Sequence, residues 1–325
     1  MKTTARNVIR DHYIKMVSTA DALQKTIQLN DGNRIPILSF GTFGKRQDIP
    51  RIKEAVIQAI EAGYRQIDTA HAYQNYEEIG EAIADVISRG IVKREDLWIT
   101  TKVPFRVGDR HGVLPAILTS LLKLKLSYID LYLIHSPENL FFLETHDYLD
   151  VWKGMEDVKK LNLTRSIGVS NFKSSHINRL LVHSNTVPSV NQIEVHPTYT
   201  DLELVSYCQS LNITVLSYAP FGFMVPRGFV YNPTKSTFKE PVLVRIANKY
   251  GKTSSQVVLR YLMDRGTIPI PRSTNAERIK LNIDIFDFRL TTEEINLINE
   301  LNEGAKVYNF DPLSFFVMTI YFSLF

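Results

Sequence analysis

Apolar residues in this chain fall into short runs that stop abruptly at polar or titratable residues, and between those runs they recur at helical spacing. Three runs set the pattern: Tyr64 to Asp68, Leu97 to Lys102 and Ile129 to His135. A strand looks like this when it leaves a buried barrel and delivers side chains to one rim. Ala55 to Ala62, Glu77 to Ser88 and Val113 to Leu126 read as the intervening helices. The alternation continues with a helix at Leu149 to Leu161, a strand at Ser166 to Ser170, a helix at His176 to His183 and a strand at Ser189 to Glu194. A helix at Leu202 to Leu211, a strand at Thr214 to Tyr218, helices near Val242 to Tyr250 and Ser254 to Arg265, and a strand at Thr267 to Ile270 follow. Asn282 to Asp287 reads as a short eighth strand, and Thr291 to Leu301 as a final helix with Thr291 and Glu294 at capping-box spacing.

Repeated strand-then-helix order specifies a parallel α/β sheet. About eight such units close it into a (β/α)8 TIM barrel, with catalytic groups at the carboxyl ends of the strands. A doubly wound sheet is the rival architecture, but its dinucleotide-binding form carries Gly-x-Gly-x-x-Gly, and neither that motif nor a phosphate-binding Gly-x-x-x-x-Gly-Lys loop occurs. Ahead of the first helix, Thr26 to Leu29 and Ile35 to Leu38 flank Asn30-Asp31-Gly32-Asn33, where Asp-Gly supplies the positive φ angles of a tight hairpin turn. Gly41 to Gly44 then reads as an exposed loop. No linker or low-complexity tract divides the chain, so the expectation is one barrel domain over residues 21–325 preceded by a disordered extension at 1–20.

Composition changes this picture little. The 325 residues are 44% hydrophobic and 22% charged, ample for one large core. A net charge of +4 without a Lys/Arg block does not indicate nucleic acid. The single cysteine, Cys208, excludes an intrachain disulfide and suits a reducing, cytoplasmic setting. Arg6, Arg10, Asp11, His12 and Lys15 interrupt what would have to be a continuous apolar stretch in a signal peptide. Arg6, Arg10 and Lys15 permit a weak transit-peptide reading, against which Asp11 and an alternative start at Met16 stand. No His-Glu-x-x-His order suggests a metal, and Tyr231 to Lys235, a Tyr-x-x-x-Lys match enclosing Asn232-Pro233, reads as chance. Phe315 to Phe325 is strongly apolar but about half the ~20 residues of a membrane span.

The rim carries the chemistry. A tyrosine can act as general acid, but sluggishly unless a cation lies close. Tyr73, in the loop beyond the first run, has such a cation in Lys102, and a unit charge ~4 Å away at an effective dielectric of ~20 is worth roughly 4 kcal/mol. Lys102 is therefore expected to draw the Tyr73 hydroxyl towards neutrality. Asp68 would keep Lys102 protonated, and His135 would donate to and polarise a carbonyl oxygen. Each residue alone has an ordinary explanation as a loop cap, a half-buried ring, a solvated cation or a core histidine. Their convergence at the same end of separate runs favours a proton-delivery set.

These segments resemble the aldo-keto reductases over about Gln28 to Leu301. Ile67-Asp68-Thr69-Ala70 with Tyr73, Lys102, and Asp130 to His135 match that family's catalytic tetrad segments. Ile167 to Phe172, Val190 to Glu194, and Ile270-Pro271-Arg272-Ser273 through Arg278 and Asn282 match its cofactor segments. Within the family the chain is most similar to insect enzymes of the 3-dehydroecdysone reductase type, judged by Gly266 to Ile270 and Asn282 to Phe288.

The resemblance implies NADPH-dependent reduction of aldehydes and ketones by a monomer, with a bulky hydrophobic ketone such as a 3-dehydroecdysteroid as one candidate substrate. Xenobiotic or lipid-aldehyde reduction and a non-catalytic nucleotide-binding barrel are the alternatives. It implies nicotinamide contacts from Asp68, Ser170, Asn171, Gln192 and a stacked Tyr218, with Gly41, Thr42, Phe43, Ala219, Pro220, Phe221 and Gly222 also at the cofactor. Arg272, Ser273, Thr274, Arg278 and Asn282 would hold the 2′-phosphate end. Phe43, Tyr73, His135 and Ser136 would face substrate, and the hairpin would plug the barrel's lower end. The C-terminal segment, with Phe310, Phe315 and Phe316, would loop over the substrate mouth, although it departs from the family's usual ending and leaves a lipid-touching tail or an altered gene model open. Arg272 stands where lysine is more usual, Leu281 where an acidic residue is, and Phe43 and Ser136 where tryptophans are. Phe141, Phe142 or the tail would be positioned to refill the lost indole volume.

Overall fold

A computed structural model of the chain describes residues 25–138, 147–226, 234 and 236–308. The expected extension at 1–20, Phe141, Phe142, the Tyr231 and Lys235 pair, and the tail with Phe310, Phe315 and Phe316 lie outside the described residues.

The hairpin comprises β1 (Thr26–Gln28) and β2 (Arg34–Pro36), paired antiparallel with Ile27 opposite Ile35. Only Gly32 of its turn takes a positive φ, 88°, so the glycine alone meets the left-handed requirement. Eight parallel strands follow in one sheet: β3 (Ser39–Gly41), β4 (Gln66–Asp68), β5 (Trp98–Val103), β6 (Ile129–Ile134), β7 (Thr164–Ser170), β8 (Val190–Glu194), β9 (Thr214–Tyr218) and β10 (Thr267–Pro269). Each is hydrogen-bonded to its neighbour in sequence order, and the Gly41 amide reaches the Pro271 carbonyl at 2.9 Å, bringing the two ends of the sheet together.

The helices are α1 (Ile52–Glu61), α2 (Tyr76–Ser88), α3 (Arg110–Leu124), α4 (Tyr148–Lys160), α5 (Ser174–His183), α6 (Leu202–Ser210), α7 (Pro241–Tyr250), α8 (Ser254–Asp264), α9 (Ala276–Ile283) and α10 (Thr292–Asn299). The expected capping box is formed: Thr291 Oγ1 accepts from the Glu294 amide while the Glu294 carboxylate accepts from the Thr291 amide. No described helix is long and apolar enough to cross a membrane.

Strand alternation sorts the apolar residues into two cores. Outward residues such as Ile67, Ile99, Tyr132, Ile167 and Val215 pack with the helices, whereas Trp98, Leu131, Leu133, Val190, Leu216 and Ile268 join hairpin residues Ile27, Leu29 and Ile35 inside the barrel. The hairpin is therefore the plug that the resemblance implied, and Asp31 fastens it through Lys159 at 3.0 Å and Ser189 at 3.1 Å.

One strand assignment is corrected. Asn282 to Asp287 is not the eighth strand: α9 runs through Ile283, and the carbonyl and carboxylate of Asp284 beyond it accept from Gln256 and Lys252. The missing strand is Ser39–Gly41, part of which reads as exposed loop in the sequence. Its three residues carry neither alternation nor a β-branched pair. They form a strand because β4 and the Pro271 carbonyl supply partners on either side.

Candidate active site

Asp68, Lys102 and His135 emerge at neighbouring strand ends, 3%, 1% and 7% exposed. In the parallel register Lys102 stands beside Leu133, and Asp68 beside Thr100. The Lys102 ammonium donates to both carboxylate oxygens of Asp68 at 2.8 and 3.0 Å, to the Thr69 carbonyl at 3.0 Å and to the Tyr73 hydroxyl at 3.2 Å. The structure thus assembles the four-residue set that the sequence suggested.

The loop carrying Tyr73 is tied down from below. Thr42 Oγ1 donates to the Asp68 carbonyl, Thr69 Oγ1 donates to Asn75 Oδ1, and Asn75 Nδ2 donates to the Thr42 carbonyl. Gln74, directly after Tyr73, is left-handed at φ 53°. Held this way, Tyr73 keeps its ring 4.9 Å from Phe43 and 6.1 Å from His135.

Electrostatics revise one expectation. The Tyr73 hydroxyl is pushed well above its ordinary value, first by burial, then by Asp68 and Tyr308. Lys102 does not draw it down, because Asp68 sits on the same ammonium and the pair presents little net field to the tyrosine oxygen. Tyr73 is consequently a phenol with its proton in place. His135 is held well below its ordinary value, first by burial and then by Lys102, so it is a neutral imidazole retaining one N–H. Phe105 stacks on its ring at 4.1 Å.

A second layer joins β7, β8 and β9 to this set. Gln192 Nε2 donates to Asp68 Oδ2 at 2.7 Å, Ser170 Oγ donates to the Gln192 carbonyl, and Asn171 Nδ2 donates to the His135 carbonyl and to Ser170 Oγ. Tyr218 donates to Asn171 Oδ1 at 2.7 Å. Asn171, Ala219 and Gly222 are left-handed at φ 62°, 48° and 47°. A side chain at Gly222 would meet the His196 ring at 2.5 Å, so glycine is required there for space as well as for backbone angle. Pro220 is buried beside them, whereas the Phe221 ring packs against Phe238 at 5.4 Å.

The basic set lies beyond β10. Arg272 is half-buried, Ser273 buried and Thr274 half-buried. Asn275 caps α9 by accepting from the Arg278 amide at 2.9 Å, and Asn282 is buried on the inner face of that helix. Arg278 is exposed in the first turn, where the helix dipole disfavours a cation unless an anion arrives. Arg272 Nε is a buried donor with no acceptor among the described residues. That donor, the helix amino terminus and the two arginines fit the phosphate end of a dinucleotide, and the Ser170, Asn171 and Gln192 layer fits its carboxamide end.

The sequence reading missed several contributors. Tyr308, 8% exposed, packs with Phe43, Tyr218 and Phe223 at the mouth. Glu194 fixes it by accepting from the amides of Val307 and Tyr308 while pairing with His196 at 2.9 Å. Phe105 follows an apolar run and Glu194 ends one, and that position is the signal that marks them, whereas Asn75 carries no such signal. Ser136, expected at the substrate, is buried, with its hydroxyl accepting from the Glu138 amide.

Residues 38–303 match the Aldo/keto reductase family. The chain is 50% identical over 294 residues to Aldo-keto reductase AKR2E4 of Bombyx mori, covering 86% of this chain and 93% of that one. It is 36% identical over 308 residues to Prostaglandin F synthase 1 of Bos taurus, covering 89% and 95%. The crystal structure of the Bombyx mori AKR2E4 protein in complex with NADP superposes with TM-score 0.84 at 49% identity, over 88% of this chain and 95% of that one. An AKR2E5 structure complexed with NADPH gives 0.84 at 39% identity, over 87% and 89%. With matches on this scale, the chain belongs to the aldo/keto reductase family.

Proposed function

We infer that this protein is an NADPH-dependent oxidoreductase that reduces aldehydes and ketones to alcohols, with Asp68, Tyr73, Lys102 and His135 as its catalytic set. The observation that carries the reading is the buried relay from Asp68 through Lys102 to a protonated Tyr73, beside a neutral His135. Crystallised relatives holding NADP and NADPH support the cofactor.

Asp68, Ser170, Asn171, Gln192 and Tyr218 would hold the nicotinamide end, and Arg272, Ser273, Thr274, Arg278 and Asn282 the phosphate end. When bound, NADPH supplies the hydride. His135 offers its N–H to the carbonyl oxygen and fixes its direction. Tyr73 delivers the proton from its hydroxyl to the oxygen as negative charge develops there, and Lys102 keeps a hydrogen bond to the phenol oxygen left behind. Asp68 holds the Lys102 ammonium in place through both carboxylate oxygens, at the cost of opposing tyrosinate formation.

The substrate in this reading is a bulky hydrophobic ketone, a steroid ketone of the 3-dehydroecdysteroid type being the first candidate. Similarity to a Bombyx mori reductase and the aromatic mouth of Phe43, Tyr218, Phe223 and Tyr308 support it. The working form is taken as a cytoplasmic monomer with one barrel domain over 21–325, a reading that buried, reduced Cys208 suits. A carbonyl panel assayed with NADPH and NADH in parallel tests the function. The expected result is oxidation of NADPH in preference to NADH, fastest with a bulky ketone. Nucleotide binding without turnover of any carbonyl would make the barrel a regulatory protein.

A further inference from the structure

The segment joining β3 to α1 crosses the phosphate end of the rim and carries an unexpected acid. Residues 44–51 read Gly-Lys-Arg-Gln-Asp-Ile-Pro-Arg, so Asp48 is the one carboxylate among three cations. From the short 3-10 turn Arg46–Arg51, Asp48 Oδ2 accepts from Arg272 Nη2 at 2.8 Å, with the two side chains 19% and 27% exposed. Gly44 makes the approach possible, since a Cβ there would lie 2.5 Å from the same Nη2. Arg51 adds a longer contact from the same turn to the Thr274 carbonyl, 3.4 Å. The segment is therefore a strap whose acid sits on a guanidinium assigned to phosphate.

We propose that Asp48 is a specificity-determining residue that holds Arg272 and weakens its grip on the nucleotide 2′-phosphate, keeping NADPH binding reversible. The inference rests on the reading of Arg272 as a 2′-phosphate ligand. A guanidinium has five N–H donors, so an anion can share Arg272 with Asp48 through Nε, which is buried and has no acceptor among the described residues. The sharing has an electrostatic consequence. A phosphate of about two negative charges would then lie within several Å of the carboxylate, where repulsion between partly exposed groups alters affinity by about tenfold. NADH lacks the 2′-phosphate and does not meet this repulsion. Asp48 thus narrows the preference for NADPH.

The test is Asp48→Asn, which keeps an oxygen acceptor for Arg272 while removing the charge. Dissociation constants for NADP⁺ and NAD⁺ are measured by quenching of protein fluorescence and by calorimetry on Asp48→Asn, Arg272→Ala and the double variant, alongside the parent protein. The expected result is NADP⁺ binding tightened by about three- to thirtyfold, NAD⁺ unchanged, and a gain from Asp48→Asn that persists when Arg272 is alanine, because the carboxylate repels the phosphate with or without the guanidinium between them. Unchanged or weaker NADP⁺ binding in Asp48→Asn, with Arg272→Ala still selectively impairing NADP⁺, overturns the inference and leaves the Arg272 assignment standing. If Arg272→Ala weakens NADP⁺ and NAD⁺ alike, the Arg272 assignment itself fails and the inference with it. Asp48→Ala, which also releases Arg272 from its hydrogen bond, separates the two effects: equal tightening with Asp48→Asn places the effect in the charge, and weakening of both nucleotides makes Asp48 a structural brace and overturns the proposal.

Discussion

The ends of β4 to β6 and the end of β10 both present charged groups at one rim, but in opposite physical settings. At β4 to β6 the acid, the cation and the imidazole are all more than nine-tenths buried and carried on strands or directly after one, with the acid and the cation joined by hydrogen bonds. At β10 the cations are arginines in a loop and in the first turn of a helix, half-buried or exposed, and one is claimed by a carboxylate from another segment. The difference follows from what each does in the proposed reaction. Proton delivery needs fixed, dry geometry, in which a misplaced charge is costly, whereas a phosphate must be gripped and released every cycle, which suits solvent-screened arginines. Substitutions in the first region should therefore act on rate and its pH dependence, and those in the second on affinity.

The largest expected effect is in the first region. Tyr73→Phe removes the proposed proton donor and little else, because the ring remains to pack on Phe43. Turnover should fall by at least ~100-fold, while nucleotide affinity measured by fluorescence titration stays within about twofold. Near-normal turnover would place the acid elsewhere. In the second region Arg278→Ala should weaken NADPH by about 10- to 100-fold, the loss of a charge-assisted hydrogen bond, with little change for NADH. Equal loss for both nucleotides would mean that Arg278 does not read the 2′-phosphate. The parent protein's affinity for NADPH should also fall more steeply with added salt than its affinity for NADH.

The two regions also differ in how far the chain's letters reveal them. Asp68, Lys102 and His135 were legible because each terminates an apolar run, and burial on both faces of a parallel strand leaves that signature in sequence. β3 was not legible: Ser39-Phe40-Gly41 has no pattern of its own and becomes a strand through partners far along the chain. Asn282 to Asp287 misled for the converse reason, since Ile283 and Ile285 look like strand alternation while the helix capped by Asn275 runs on through Ile283 and the residues after it pair with no strand. Charge balance was the least legible property. The effect of Lys102 on Tyr73 depends on where the Asp68 carboxylate lies, and only the fold places it on the ammonium.

That balance makes Asp68→Asn the next test. In the parent protein Tyr73 is pushed well above 10 by burial, Asp68 and Tyr308. The acid form is complete below that value and is lost as pH rises through it, so the reduction rate should not fall with a tyrosine titration anywhere in the neutral range. His135, held well below 6.5, is already neutral there, so the rate should not rise through 6.5 on its account. Its contribution to stability has the opposite limb: the unfolded histidine binds a proton as pH falls below about 6.5 while the folded one does not, so stability declines on acidification. The substituted amide would keep a hydrogen bond to Lys102 but leave the ammonium charge unbalanced, moving the Tyr73 limb to lower pH. A pH–rate profile identical to that of the parent would show that Asp68 does not set the tyrosine, and turnover should be reduced less than in Tyr73→Phe because the acid remains.

The smallest expected effect lies between the two regions, at the mouth, and concerns size alone. The family more often has tryptophan where Phe43 and Ser136 stand, so two indoles are missing beside the proposed catalytic groups. The structure returns part of that volume: Tyr308 packs on Phe43 at 6.1 Å, and Phe105 covers His135. Ser136 itself is buried and turned towards the Glu138 amide. An indole at 136 must therefore displace that turn or enter the pocket, and overpacking of either kind costs about 1–3 kcal/mol. If the space serves a bulky ketone, Ser136→Trp should lower kcat/KM for a steroid ketone by about tenfold and for a small aromatic aldehyde by less than about threefold, since only the larger substrate needs the volume. Phe43→Trp, at a half-buried position in contact with Tyr73, should shift the ratio in the same direction without disturbing the 136–138 turn. Thermal melting separates pocket filling from loss of fold. An unchanged ratio of the two kcat/KM values in both variants would show that the missing indoles are refilled from within the protein, and that the mouth is no wider than a small-aldehyde reductase requires.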